Sequence, residues 1–578
     1  MTTQLLLALG AGITGLTVGL LLANNKKVET QTKLHQQQQR ILLLVNGELE
    51  TDALVTTFRA KVVVAFEFAL EFGRLYHSTT SAVAIFSMGQ MIGEEAVVTS
   101  LALLLSQTTY DLVIVVGCCG ALSSSLSSTL STPTSTPTSS PTKRTPLNVK
   151  IGDIVAAYPT TCFFERRIAA FGPVSKRMGI GETSTWAYTA DVARLAEQDL
   201  HDASLPTRVT TGKVASGRSF LTDSTGMQWM RDMDVVGKDM ESAAAMSTCL
   251  QFGVQSTCLK VVVTLVREEE EDMKIEELDL HREQCIPCLA RATEAFVHRA
   301  QEQLARSKRQ QQLLLGQGSN GGALLPPILG RRIPDRLIVI HVAMEEEAKP
   351  IAKALGLART VLAPFARHGM SCWTGSAFRS SNVSIVMVSH GTDYLLGMSR
   401  VSTQIATLCG NIIVSTYGSR LSLVINCGTA GAMSGRHLDI GSVVVASEVK
   451  FIDARGLEGR SPPLQVWSDG SNKIFSELQT DVKLGVVGTG SSFDLSPSDL
   501  SSLKELDVDV KEMEAASVVW VCNQFHVPVL VVKSVTDFVE HEEEGASEFH
   551  ENLYGKALDA LSQTMPRVVD VVVQMMGV

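Results

Sequence analysis

The sequence predicts two α/β domains in tandem, each a layered sheet with helices on both faces. Three observations carry this. Short Val/Ile/Leu runs alternate with longer stretches of helical spacing, which argues for buried strands and flanking helices. The same motifs recur once along the 578 residues at a nearly constant offset. A stretch rich in Gln, Gly and Pro, "QQQLLLGQGSNGGALLPPILGRR" (310–332), separates the two sets. A chain this long exceeds one core and favours several domains.

Residues 1–37 stand apart. Leu5 to Ala23 carries no charge and is followed by Lys26 and Lys27. That length suits a bilayer-crossing helix, and the glycines at 15 and 19 give a GxxxG spacing. Lysines on the C-terminal side favour domains facing the cytosol. The expectation is a membrane-anchored protein. The alternative is a cleaved segment targeting the chain to an organelle or the secretory route.

Residues 38–308 form the first copy and 336–578 the second, with 309–335 as linker. Glu241 and Glu514, and Phe220 and Phe493, each stand 273 positions apart. "VVGCCGAL" answers "INCGTAGAM", and "VKIGDIV" answers "LDIGSVV". The first copy alone carries a Ser/Thr/Pro tract over 123–147, which can bury almost nothing and is expected to be a disordered surface loop.

Composition is that of an ordinary globular protein: 45% hydrophobic and 19% charged, with net charge −10. No Lys/Arg stripe stands out, so nucleic acid is not an expected partner. The 11 cysteines sit in apolar contexts and read as reduced core thiols. "HREQCIPC" (281–288) has no second ligand pair at metal-binding spacing, and neither a metal nor a cofactor is expected.

In such a fold, ligands gather at the carboxyl ends of strands. In the second copy, "AMEEE" (343–347), "SHGTD" (389–393), "TGSSFD" (489–494) and "SVTDFV" (534–539) all sit at such ends. Taken alone, each has a bland reading: Asp537 as a helix cap or loop residue, the glutamates as an acidic first turn favoured by the helix dipole, Phe493 as core.

Together with "INCGTAGAM…DIGSVVVASEV", "KEMEAASVVWVC" and "VVKSVTDFV", these motifs follow one another in a single order over nearly all of 336–578. The second copy thereby resembles the 5′-methylthioadenosine/S-adenosylhomocysteine nucleosidases of the purine nucleoside phosphorylase and nucleosidase superfamily, particularly the plant-type enzymes. The resemblance implies three-layer α/β/α domains with a central mixed, partly barrel-like sheet, usually paired as a homodimer. It implies hydrolysis of an N-glycosidic bond to adenine and a thio-ribose.

By the same resemblance Asp537 is the acid that protonates adenine N7, Glu347 activates the attacking water, and Glu514 holds the ribose hydroxyls. Met513 packs against the sugar, Phe493 lies along the adenine, Gly391 allows close approach to the ribose, and Glu512 belongs to the substrate-binding set. Related phosphorylases grip phosphate with arginine near the end of the first strand. Carboxylates at that place repel phosphate and suit water instead. A phosphate-dependent phosphorylase and a non-catalytic nucleoside-binding protein are the alternatives.

In the first copy Glu50 matches Glu347, Glu241 matches Glu514 and Phe220 matches Phe493, but Thr264 falls opposite Asp537. "VVGCCGAL" replaces the Gly-Thr-Ala-Gly turn, and "SGRSF" brings Arg218 into the purine turn. The first copy therefore reads as a degenerate partner that supplies an intrachain pseudodimer surface, with further self-association open. Glu268 or Glu269 could stand in for the missing acid, although such a glutamate run is usually a solvated loop.

Overall fold

The computed structural model describes residues 40–577, apart from 68–71, 79–81, 89–92, 123–148, 164–181, 206, 220–221, 223, 267–274, 316–335, 378–379, 394–397, 455–463, 480 and 540–552. The Ser/Thr/Pro tract, Phe220, Glu268 and Glu269 thus lie outside the described residues.

The first half runs β1 (Ile41–Val45), α1 (Glu48–Thr57), β2 (Ala60–Glu67), β3 (Phe72–Ser78), β4 (Val83–Ser87), α2 (Glu94–Gln107), β5 (Leu112–Leu122), β6 (Ile154–Phe163), β7 (Glu182–Ser184), α3 (Thr189–Asp202), β8 (Val209–Ser216), α4 (Ser224–Asp232), β9 (Val235–Asp239), α5 (Ser242–Gln251), β10 (Gln255–Val266) and α6 (Ile275–Leu315). The second runs β11 (Arg336–Val342), α7 (Glu345–Ala354), β12 (Ala358–Thr360), α8 (Ala363–Ala366), β13 (Ser371–Ala377), β14 (Ser380–Ser389), β15 (Thr392–Asp393), β16 (Met398–Ser399), α9 (Thr403–Tyr417), β17 (Leu421–Ala432), β18 (Val443–Phe451), α10 (Ser468–Leu478), β19 (Val482–Thr489), α11 (Pro497–Glu505), β20 (Val510–Glu512), α12 (Ala515–Gln524), β21 (Val529–Phe538) and α13 (Tyr554–Met575).

Each half is built on one mixed sheet, in the orders β10-β6-β8-β9-β5-β1-β4-β3-β2 and β12-β13-β14-β11-β17-β20-β19-β18-β21. Extra pairings, β10 with β5 and β21 with β17, close five strands of each sheet into a ring. The central strands are apolar on both faces because helices cover both. Ile41–Val45 and Leu337–Ile340 are fully buried.

The closing strands carry the same irregularity. In β10 the register with β5 passes from Val262↔Cys119 to Thr264↔Gly120, skipping one residue. In β21 it passes from Val535↔Ala430 to Asp537↔Gly431, again skipping one. Such a bulge re-aims the next side chain. Thr264 and Asp537 are therefore structural equivalents, as the gapless alignment expects.

The halves pack through α2 and α5 of the first against α9 and α12 of the second. One apolar cluster, with Val97, Leu101, Ala244, Ile405, Leu408 and Val518, spans both. Polar groups cross with it: Asn411 donates to Thr99 Oγ1 at 2.9 Å, and Arg400 to Gln251 Oε1 at 3.1 Å.

The membrane-anchored placement facing the cytosol is corrected. Among the described residues no helix is long and apolar enough to cross a membrane. The long helices α6 and α13 carry charges along their length, such as Lys556, Asp559 and Arg567 in α13. Leu5–Ala23, on which both the anchor and the cleaved targeting segment were expected, lies outside the described residues.

Leu408 is fully buried in the shared cluster. Leu408→Ala is expected to cost about 2–5 kcal/mol, read as a lower urea midpoint, with both halves still unfolding in one transition.

Candidate active site

The second copy's site is assembled at the carboxyl ends of β11, β17, β20 and β21. The turn after β11 leads into α7, and Glu347 sits in that helix's first turn. Its side chain folds inward, 2% exposed. Oε1 accepts from the backbone N–H and the hydroxyl of Thr429, each at 2.7 Å, and Oε2 from the N–H of Met344 at 3.2 Å. Burial pushes this carboxyl above its ordinary value, while Thr429 and Lys533 pull the other way. A Cβ at Gly428 would come within 3.0 Å of Glu347 Oε1, so the glycine keeps space for the carboxylate. Glu345 and Glu346, by contrast, pair at the rim with Arg359 and Ser399.

β20 ends in Glu512, followed by Met513 and by Glu514, which caps α12. All three are buried. The carboxylate of Glu512 is fully engaged: it pairs with Lys533 Nζ at 2.8 Å and accepts from Thr489 Oγ1 and the N–H groups of Glu514 and Ala515. It braces the site and has no oxygen to spare for substrate. Glu514 is different. Its Oε1 is buried and has no hydrogen-bond partner among the described residues. Burial and the adjacent Glu512 push its carboxyl up to about 8.

Asp537, past the β21 bulge, accepts from Thr536 Oγ1 at 2.5 Å. Burial raises it, while the Thr536 hydrogen bond and the Lys511 charge lower it. Phe493 keeps 45% of its surface exposed, with the Lys511 ammonium 5.7 Å from its ring centre.

Two lysines that the sequence reading passed over tie these groups together. Lys533, buried inside β21, acts electrostatically on Glu347, Glu512 and Glu514. Lys511, buried in β20, acts on Glu512, Glu514 and Asp537, and its ammonium donates to the carbonyls of Ser492 and Phe493. Glu347, Glu514 and Asp537 therefore belong to one charge network. The available signal was a lysine inside the otherwise apolar run "VLVVKSV"; Lys511, among acids in "DVKEM", carried none. Tyr554, at the start of α13, also feels Glu347 and is raised by burial and that charge.

Gly391 has φ +75°, and a Cβ there would meet the carbonyl oxygen of Gly369 at 1.9 Å. Its visible constraint is thus the close passage of two backbone segments. The neighbouring His390 has no role in the sequence pattern, yet it is firmly built in. It is buried, with Nδ1 2.8 Å from Arg400 O and Nε2 2.9 Å from His341 Nε2, while Asn426 Nδ2 lies 2.9 Å from His341 Nδ1. Because His390 Nδ1 faces a carbonyl it must donate. Its Nε2 then accepts from His341 Nε2–H, and His341 Nδ1 accepts from Asn426. Both rings are neutral, as burial also dictates. Cys409 lies within 4.8 Å of this pair, but the imidazole nitrogens are committed to each other, to Arg400 O and to the Asn426 side chain.

The first copy repeats the scaffold with different partners for its carboxylates. Asp239 and Lys260 pair at 2.8 Å as Glu512 and Lys533 do. The pair is thus kept where Asp537 has been replaced by Thr264. Glu50 is held by Arg282 of α6 through two bonds, at 2.8 and 2.6 Å, and Cys118 Sγ takes the place of the Thr429 donor at 3.2 Å. Asn46 donates to Glu241 Oε1 at 3.0 Å. Both carboxylates are thereby satisfied from within.

A family model described as the phosphorylase superfamily matches residues 40–298 and again 337–570. The chain belongs to the phosphorylase superfamily. A 5′-methylthioadenosine/S-adenosylhomocysteine nucleosidase of Arabidopsis thaliana is 34% identical over 245 residues, covering 41% of this chain and 92% of that protein. A 5′-methylthioadenosine nucleosidase of the same plant is 30% identical over 224 residues, covering 38% and 81%. Among solved structures, the apo form of Arabidopsis thaliana 5′-methylthioadenosine nucleosidase aligns with 41% of this chain and 96% of its own, at 27% identity and TM-score 0.35. This superfamily member thus carries the family pattern twice.

Two outcomes follow from the site's electrostatics and backbone. A carboxyl raised in the folded state leaves stability intact below the unfolded value, near 4.5, and erodes it as pH rises toward about 8. Glu514→Gln is expected to raise the ligand-free thermal midpoint by a few degrees at pH 8 and by nothing at pH 4.5, measured by calorimetry. Gly391→Ala is expected to destabilise the chain by about 2 kcal/mol or more, seen in urea titration.

Proposed function

We propose that the chain hydrolyses the N-glycosidic bond of adenosine thioethers, 5′-methylthioadenosine first and S-adenosylhomocysteine second, in the C-terminal half. The N-terminal half serves as its pseudodimer partner. The observation that carries this reading is the buried, unpartnered Oε1 of Glu514. A buried acceptor without a donor is costly, and the hydroxyls of a ribose would supply donors. The two Arabidopsis relatives, named as nucleosidases acting on these compounds, support the same class.

The chemistry is distributed as follows. Glu347, fixed by Thr429 and Met344, takes a proton from water as the oxygen bonds to the anomeric carbon. The C1′–N9 bond breaks, and Asp537 gives its proton to N7, so neutral adenine leaves. Burial raises Asp537 above its ordinary value, the direction an acid needs, while Thr536 and Lys511 oppose it. Phe493 offers a flat apolar surface to the base, Met513 lies beneath the sugar between the two glutamates, and Gly391 lets the backbone pass close. Glu512, with its oxygens taken, acts through Lys533 and Glu514. The domain limits proposed are 38–308 and 336–578.

Purified full-length protein is expected to release adenine from methylthioadenosine at the same rate with and without phosphate. A strict phosphate requirement would move the chain to the phosphorylases, and tight binding without turnover would make it a nucleoside-binding protein. Asp537→Asn is expected to lower kcat at least a hundredfold, whereas Thr264→Asp in the first copy leaves activity within twofold. Activity should fall on acidification at a pH above 4.5, where the raised Glu347 carboxyl takes up its proton.

A further inference from the structure

Arg218 and Ser491 occupy equivalent positions in the two copies, 273 residues apart, yet they touch: Arg218 Nη1 donates to Ser491 Oγ at 3.3 Å. Equivalent residues of a duplicated fold meet only on the pseudo-twofold axis between the halves. Glu94 and Thr403, the first residues of α2 and α9, meet there as well, with Thr403 donating at 3.0 Å. Far from crowding its own half's purine turn, the Arg218 side chain crosses this axis. It is 4% exposed, donates to Asp453 Oδ1 at 2.9 Å, pairs with Glu95, lies 3.8 Å from Glu94, and stacks its guanidinium 4.2 Å from the centre of the Phe451 ring. Asp453 in turn accepts the N–H of Ser491 at 2.7 Å. Both the backbone and the hydroxyl of Ser491 are therefore fixed from one Arg–Asp pair. Ser491 opens the turn that ends in Phe493.

We infer that Arg218 is a positioning residue supplied by the N-terminal half to the purine turn of the C-terminal half, so that the degenerate copy is an obligatory part of the working site. This rests on the nucleosidase reading for its consequence in turnover, but not for the placement of the turn. The physical basis is that a buried guanidinium, with Nη1 on Asp453 and Nη2 on Glu95, bridges carboxylates of both halves in a fixed planar geometry. Such a group transmits position across an interface better than apolar packing does. The charge also sets the pairing. Two copies of the N-terminal half would bring two Arg218 side chains together on the axis, whereas unlike halves place one cation against Glu94, Glu95 and Asp453. A duplication inside one chain permits this asymmetry, which a homodimer of identical chains does not.

The test uses the full-length chain and three variants: Arg218→Met, Arg218→Lys and Asp453→Asn. Deuterium uptake is followed over residues 488–494 and, as reference, over 337–342, alongside KM and kcat for methylthioadenosine. Arg218→Met is expected to raise early uptake in 488–494 severalfold with 337–342 unchanged, and to raise KM about tenfold while kcat stays within threefold. That split marks loss of binding common to ground and transition states. Arg218→Lys should recover part of both effects, since charge returns without the fork. Asp453→Asn should reproduce the Met variant more mildly and decides the matter if the Met chain does not fold. Unchanged uptake in 488–494 in a folded variant overturns the inference, and so does an equal rise in the reference strand. If the parent chain releases no adenine, the nucleosidase reading fails on its own, and the exchange data still judge the role of Arg218.

Discussion

The crevice of the C-terminal half depends on burying carboxylates side by side, and that is possible only because Lys511 and Lys533 are buried with them. Glu347, Glu512, Glu514 and Asp537 would otherwise meet as uncompensated charges in a dry interior, where each would cost several kcal/mol. Lys533 forms the direct pair with Glu512, and Lys511 anchors the purine turn through carbonyls while its charge reaches Asp537. Compensation is incomplete at Glu514, whose Oε1 has no donor among the described residues.

The first copy displays the opposite balance on the same backbone. Its Asp–Lys pair survives, since removing either member would strand a buried charge. What has changed are the side chains around it. Arg282 and Cys118 satisfy Glu50, Asn46 satisfies Glu241, and Thr264 follows the bulge that delivers Asp537 in the other half. The first half keeps the fold, and the shared apolar cluster draws on its α2 and α5 surfaces. That half also places a guanidinium on the dyad, where the C-terminal copy has a serine.

Much of this was legible in the primary structure. The alternation of apolar runs with helical stretches, the recurrence of "INCGTAGAM"-like and "EMEAAS"-like motifs, and the pairing of Thr264 with Asp537 all appear in the folded chain. Less legible were residues whose role comes from distant partners. Glu512 looked like one more ligand-facing acid, because its engagement by Lys533, Thr489 and two N–H groups involves residues up to about twenty positions away. Gly391 looked like part of a substrate turn, and its nearest constraint is Gly369, while His390, given no role, is bonded to His341. The membrane placement rested on Leu5–Ala23, a segment that lies outside the described residues.

The sequence by itself determined the class of fold and the duplication, because apolar periodicity and motif order are local properties that survive without coordinates. The tertiary structure decided which acid is free and which is spent, and which half lends a side chain to the other. Those outcomes depend on burial and on hydrogen bonds between residues hundreds of positions apart, such as Arg218 with Asp453, and no window along the chain contains both partners.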